Sequence, residues 1–150
     1  MRDDAAEARR WLRQAENDLA FGELALEEGF FSQGCFVAQQ TAEKALKSLA
    51  YGRGDRLVIG HSIIELVDRL QTSFPEIAKL RERAGVLDQY YVATRHPNGL
   101  PGGVPFEAFG ERQAREAVDA ARGFLEMARR GGRKPGRADR CDRTCHTDVV

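Results

Sequence analysis

Between Ala114 and Ala128, apolar residues recur every three or four positions: Ala114, Ala117, Val118, Ala121, Phe124, Leu125 and Ala128. That spacing lines one side of an α-helix. It does not line one face of a strand, whose side chains alternate with a period of two. It predicts a final helix over about Phe106–Arg130. Two more segments carry the same signature near the start of the chain. Ala8, Trp11, Leu12, Ala15, Leu19, Gly22 and Leu26 predict a helix over Ala5–Glu28, capped by Asp3 and Asp4 and stopped by Gly29. Cys35, Ala38, Ala42, Ala45, Leu46 and Leu49 predict a second helix over Ser32–Tyr51.

The middle of the chain is less regular. Gly52–Gly60 reads as a loop, and His61–Ser62 opens a third helix to Leu70 with Ile63, Val67 and Leu70 inward. Pro75 suits a first helical position. From there Ile77, Leu80, Ala84, Leu87 and Tyr91 continue one stripe until Pro97. In that register Tyr91 faces the core, and Tyr90 is left to stack or stand exposed. Asn98–Pro105 is turn-rich, and Leu57–Ile59 is too short to count as a strand. The fold class is therefore all-α: an up-and-down antiparallel bundle of four to five helices over residues 1–130, with 131–150 a disordered tail. The many alanines allow close helix approach but each buries little area, at ~25 cal/mol per Å². A core this small is often completed by a partner, and a homodimer is the reading.

Composition narrows the function classes. With 42% apolar and 31% charged residues, the chain is ordinary for a soluble globular domain. No apolar run approaches the ~20 residues that span a bilayer. The N-terminus MRDDAAEARRW has acids where a signal peptide needs a basic region, so a cytoplasmic protein is expected. The formal net charge is zero, yet residues 131–150 hold five Lys/Arg against three Asp, leaving the body at −2. Such a body is a poor general polyanion binder, because nonspecific nucleic-acid affinity comes from neutralising phosphates. Any contact with RNA or a nucleotide must come from a local cluster. Cys35, Cys141 and Cys145 make no disulfide framework. Cys141, Cys145 and His146 fall short of a closed zinc site, so no metal site is assigned. No Gly-rich phosphate loop or metalloprotease helix motif is present, and no cofactor is implied.

Two polar motifs and one histidine remain. Gln39-Gln40-x-x-Glu43-Lys44-x-x-Lys47 lies on the second helix. Its plain interpretation is a solvated face with helix-supporting pairs, Glu43–Lys47 contributing a few tenths of a kcal/mol. Its functional interpretation is that Lys44 or Lys47 meets a phosphate, with Gln40 beside them or across a subunit contact. Arg95-His96-Pro97-Asn98 ends a helix, where a cation suits the dipole and the free carbonyls. His61 sits at a helix start, where its ring caps, packs or carries a proton.

In this order, the Ala-rich helix, QQ-x-AEKALK, the H-x-x-x-x-L segment, the Arg-His-Pro turn and the last Ala-rich helix resemble the HEPN family over roughly Ala5–Arg130. The resemblance implies a helical dimer associated with nucleotides, RNA or a minimal nucleotidyltransferase partner, as in two-component toxin–antitoxin-like systems. Nuclease members carry an Arg, a polar residue, three variable residues and a His. Here Leu100 occupies the His position, and no His falls among residues 97–105. No catalytic pair is assigned, with Arg95 and His96 as the alternative arrangement for a metal-independent endoribonuclease. Adjacent residues point ~100° apart on a helix, so His96 is no direct substitute. Arg95, Lys44, Lys47, His61 and Gln40 are the candidate ligand-binding residues.

Overall fold

A computed structural model describes residues 2–133. The first helix, α1 (Asp4–Glu27), begins where the Asp3 carboxylate accepts from the Ala6 N–H at 3.0 Å. It stops at Gly29, whose φ of 82° is open to glycine at little cost. The chain reverses there into α2 (Phe31–Gly52). The hairpin is tight: a Cβ on Gly34 would lie 3.8 Å from both Ala25 and Ala114, and one on Gly52 would lie 3.4 Å from Ala8.

After a loop come α3 (Ile63–Leu70), a 3₁₀ segment (Pro75–Leu80), α4 (Arg81–Asp88) and α5 (Tyr90–Ala93). A 3₁₀ turn over Pro97–Gly99 and the short α6 (Pro105–Ala108) lead to α7 (Glu111–Gly131). Among the described residues there is no strand, and no helix is long and apolar enough to cross a membrane. The architecture is an all-helical bundle built on α1, α2 and α7. Pairs Glu16–Arg129 and Glu23–Arg122 set α7 antiparallel to α1. Gly34 by Ala114 and Leu49 by Gly131 set it parallel to α2. The core runs between them through Leu46, Leu49, Ile63, Leu70, Ile77, Leu87, Phe124 and Leu125.

Four expectations change. The stripe from Ile77 is not one helix: the Gln89 N–H bonds three residues back to Val86 at 3.2 Å, and this tighter turn shifts the helical phase. Tyr90 therefore takes the buried position and packs edge-on against Phe109, while Tyr91 is half-buried. Burial is the main cause that pushes the Tyr90 hydroxyl pKa up. The final helix starts at Glu111 rather than Phe106, because Phe109 and Gly110 are extended and Gln113 accepts from the Gly110 N–H. His61 precedes α3, whose N-cap is Ser62.

The largest correction concerns α2. Gln39, Glu43 and Lys47 form no solvated face; all three are buried. Nearly every side of this helix is covered, by α1, by α7 or by the loop before α3, so its polar stripe had to find partners inside the protein.

Candidate functional site

Glu43 is the hub of that buried stripe, with its side chain 6% exposed. The i,i+4 spacing sets Lys47 one turn on, and Lys47 Nζ donates to Glu43 Oε1 at 2.9 Å. Gln39, one turn back, donates from Nε2 to Glu43 Oε2 at 3.3 Å and to the His61 carbonyl at 3.0 Å. Gln40 closes the set by donating to Gln39 Oε1 at 2.8 Å. No buried side-chain polar atom among the described residues lacks a partner. Lys47 Nζ also lies 5.5 Å from the ring centre of Trp11, which stacks on Tyr51 at 5.4 Å.

His61 Nδ1 meets Glu43 Oε1 at 3.1 Å. A carboxylate at Nδ1 places the neutral ring's proton there and leaves Nε2 as the free nitrogen. The ring is 56% exposed and stacks on Tyr91 at 4.7 Å with a 17° interplanar angle. Position is fixed from behind by Asp88. Its carboxylate accepts from Ser62 Oγ at 2.9 Å and from the Ile63 and Ile64 N–H groups at 2.6 and 3.2 Å. A residue of α4 thus caps α3 beside His61.

Arg95 reaches the same place from the end of α5. Its guanidinium lies 4.3 Å from the Phe36 ring and 4.7 Å from the Tyr91 ring. Nε and Nη2 donate to the Tyr91 carbonyl at 2.9 and 2.7 Å, the helix-end role anticipated for it, and its remaining N–H groups are available to a ligand. The turn behind it is closed. A Cβ on Gly99 would fall 2.8 Å from Ala93 Cα.

Of the residues singled out in the sequence, His61 and Arg95 meet through Tyr91. Gln40 donates to Gln39 and Glu43, and Lys47 is engaged with Glu43. Lys44 goes elsewhere: it pairs with Asp18 of α1. His96 is exposed and its ring makes no hydrogen bond among the described residues. Sequence reasoning missed Glu43 as a hub, Asp88 as an anchor, and Phe36 and Tyr91 as platforms. One signal was available: Gln39, Glu43 and Lys47 repeat every four residues along a helix with few other polar positions. Among the described residues no cluster of three His, Cys, Asp or Glu could hold a metal; Cys141, Cys145 and His146 lie outside them.

An α-helical bundle that presents a carboxylate-backed histidine and an aromatic-flanked arginine on one face is a small domain built around a polar surface site. The family profile of the HEPN domain matches residues 8–131, and the chain belongs to that family, a class of nucleotide-binding and ribonuclease-type modules. It is similar to TT1696 from Thermus thermophilus, at 38% identity over 83% of this chain and 97% of that one, with a TM-score of 0.79. ST0689, an archaeal HEPN homologue, is 33% identical over 84% of this chain and 98% of its own, with a TM-score of 0.71. A HEPN domain protein of Thermotoga maritima, TM0613, is 27% identical over 81% of this chain and 95% of its own, at 0.65. No curated protein matches the chain.

Proposed function

We propose that this HEPN domain is a binding module that takes the phosphate of a nucleotide, or of a nucleotide-bearing partner, at the His61–Tyr91–Arg95 surface. The observation that carries the reading is the division of labour around Glu43. The buried carboxylate is neutralised by Lys47 and holds the His61 ring, so His61 Nε2 and the outer N–H groups of Arg95 are set before a ligand arrives. The pre-positioned N–H groups of Arg95 bind an anion without the ordering cost of loose side chains, while Nε2 of the neutral His61 ring accepts from a hydroxyl of the ligand. Lys47 acts through Glu43 and not on the ligand, and Lys44 is committed to α1. The working unit is a homodimer, and a minimal nucleotidyltransferase is its protein partner.

Calorimetry with a panel of nucleotides tests the ligand. Millimolar or tighter binding, weakened at least about tenfold by Arg95→Ala and by His61→Ala, is the expected result. No heat from any nucleotide at millimolar concentration would remove the reading. Native mass spectrometry of the chain expressed with a minimal nucleotidyltransferase tests the partner.

One observation favours a second reading, a metal-independent ribonuclease. His61, not His96, has the carboxylate that lets an imidazole act as a proton carrier, and it shares Tyr91 with Arg95. Cleavage of RNA by the purified chain, abolished in His61→Ala and unchanged in His96→Ala, is its signature. Intact RNA at high protein concentration discards it.

A further inference from the structure

Where the start of α1 meets the ends of α2 and α7, the helices part around a cleft of about 460 Å³ that the His61–Tyr91–Arg95 surface does not share. It lies beside Leu49, about 20 Å along the α2 axis from Phe36, the ring under Arg95. Its floor is apolar: Ala8, Leu12, Leu49, Phe74 and Ala128. Gly131 lets the last turn of α7 lie against that floor, since a Cβ there would fall 2.8 Å from Leu49 Cδ2 and 3.1 Å from Phe74 Cδ1. Every ionisable side chain on the wall is an arginine: Arg9, Arg53, Arg129 and Arg133. No carboxylate lines the cleft.

The four arginines are not equally engaged. Arg53 belongs to the fold: its guanidinium holds both Asp55 oxygens at 2.9 and 3.0 Å, and also donates to the Arg69 carbonyl and Ser73 Oγ. Arg129 donates through Nε to Glu16 at 3.2 Å, which leaves its Nη groups. Arg9 and Arg133 have no acidic partner among the described residues. Helical spacing explains why. Three and four places from Arg9 stand Ala5, Ala6, Leu12 and Arg13, and the same steps back from Arg133 reach Arg130 and Arg129. A cation at the end of α7 suits the helix dipole; Arg9, near the start of α1, has no such support. Guanidinium forks match the oxygens of a carboxylate or phosphate, and a cleft of this volume is in the range that holds a small molecule, ~300–1,000 Å³. We infer that this cleft is a second binding site, for a small amphipathic anion. Arg9, Arg133 and the Nη groups of Arg129 hold the oxyanion head, and Leu12, Leu49 and Phe74 receive the apolar body.

Calorimetry on the full chain tests it with octanoate, octyl phosphate, acetate, inorganic phosphate and octylamine. Octanoate and octyl phosphate are expected to bind at millimolar concentration or below, the tighter of the two showing which head the arginines prefer. Acetate and inorganic phosphate are heads without a body and should bind at least about tenfold more weakly, and octylamine should give no heat. Arg9→Ala combined with Arg133→Ala replaces two exposed side chains, and circular dichroism confirms that the variant folds. It should weaken octanoate at least about tenfold. Equal binding by this variant, equal binding of octylamine, or no heat from either octyl anion at millimolar concentration would overturn the inference. So would octanoate binding that is lost in Arg95→Ala, which would assign the anion to the His61–Tyr91–Arg95 surface. Nucleotide binding is measured separately, so a failure of either site leaves the other standing.

Discussion

Along one side of α2, Ala38, Ala42, Ala45, Leu46 and Leu49 are buried; along another, Gln39, Glu43 and Lys47 are buried as completely. The first side is covered by close packing, with Phe124 and Leu125 of α7 contributing the larger volumes. The second is covered by hydrogen bonds, each donor and acceptor answered by a neighbour. Depth alone separates structure from function poorly in this molecule. What distinguishes the two sides is where they lead. The apolar side ends inside the bundle, and the polar side ends at an imidazole half in water.

That contrast can be broken first on the apolar side. Phe124→Ala leaves a cavity in a fully buried site and should cost about 3–5 kcal/mol, read as a fall in the denaturant midpoint. A comparable loss from Glu43→Ala, about 3 kcal/mol, is expected because Lys47 is left charged and alone. The two sides separate when both polar partners go. Glu43→Leu with Lys47→Met should recover stability to within roughly 1 kcal/mol of the natural chain, yet leave nucleotide binding weakened because His61 has lost its support. If the double variant binds normally, the polar side is scaffold only.

Asp88→Ala sharpens the comparison at lower amplitude. Losing the cap of α3 should cost about 0.5–2 kcal/mol and speed amide exchange at Ile63 and Ile64. The last effect is confined to alkaline pH. Burial pushes the Cys35 thiol up to about 12 from an ordinary 9.0. Below pH 9 both folded and unfolded chains keep this proton. Above it the unfolded chain releases the proton first, so Cys35 makes stability decline as pH rises from 9 towards 12, by at most ~1.4 kcal/mol per pH unit. Cys35→Ala should flatten that decline in the denaturant midpoint.

The long helices were legible because their stripes are regular: Ala114 to Leu125 and Cys35 to Leu49 are buried as their spacing requires. The region from Pro75 to Phe109 was not. A single three-residue hydrogen bond at Gln89 exchanged the roles of Tyr90 and Tyr91, and periodicity counted over longer windows does not register one such bond. The site was half legible. His61 and Arg95 stood out as chemical types, but their meeting depends on Asp88 and Glu43, which are 27 and 18 positions from His61 in the sequence. Charge patterning suggested that Lys44 and Lys47 act alike. Three positions on a helix leave them only ~60° apart around the axis, yet Lys44 pairs with Asp18 of α1 while Lys47 turns to Glu43.

Trp11 is the chain's one indole, and it is held between the Tyr51 ring and the ammonium of Lys47. Indole emission responds to a charge at that range. Whatever disturbs the histidine is thus two contacts from a native fluorophore, through Glu43 and then Lys47. The molecule comes with its own optical gauge: occupancy of the surface can be followed in unlabelled protein, and Lys47→Met, by removing the link, supplies the blank.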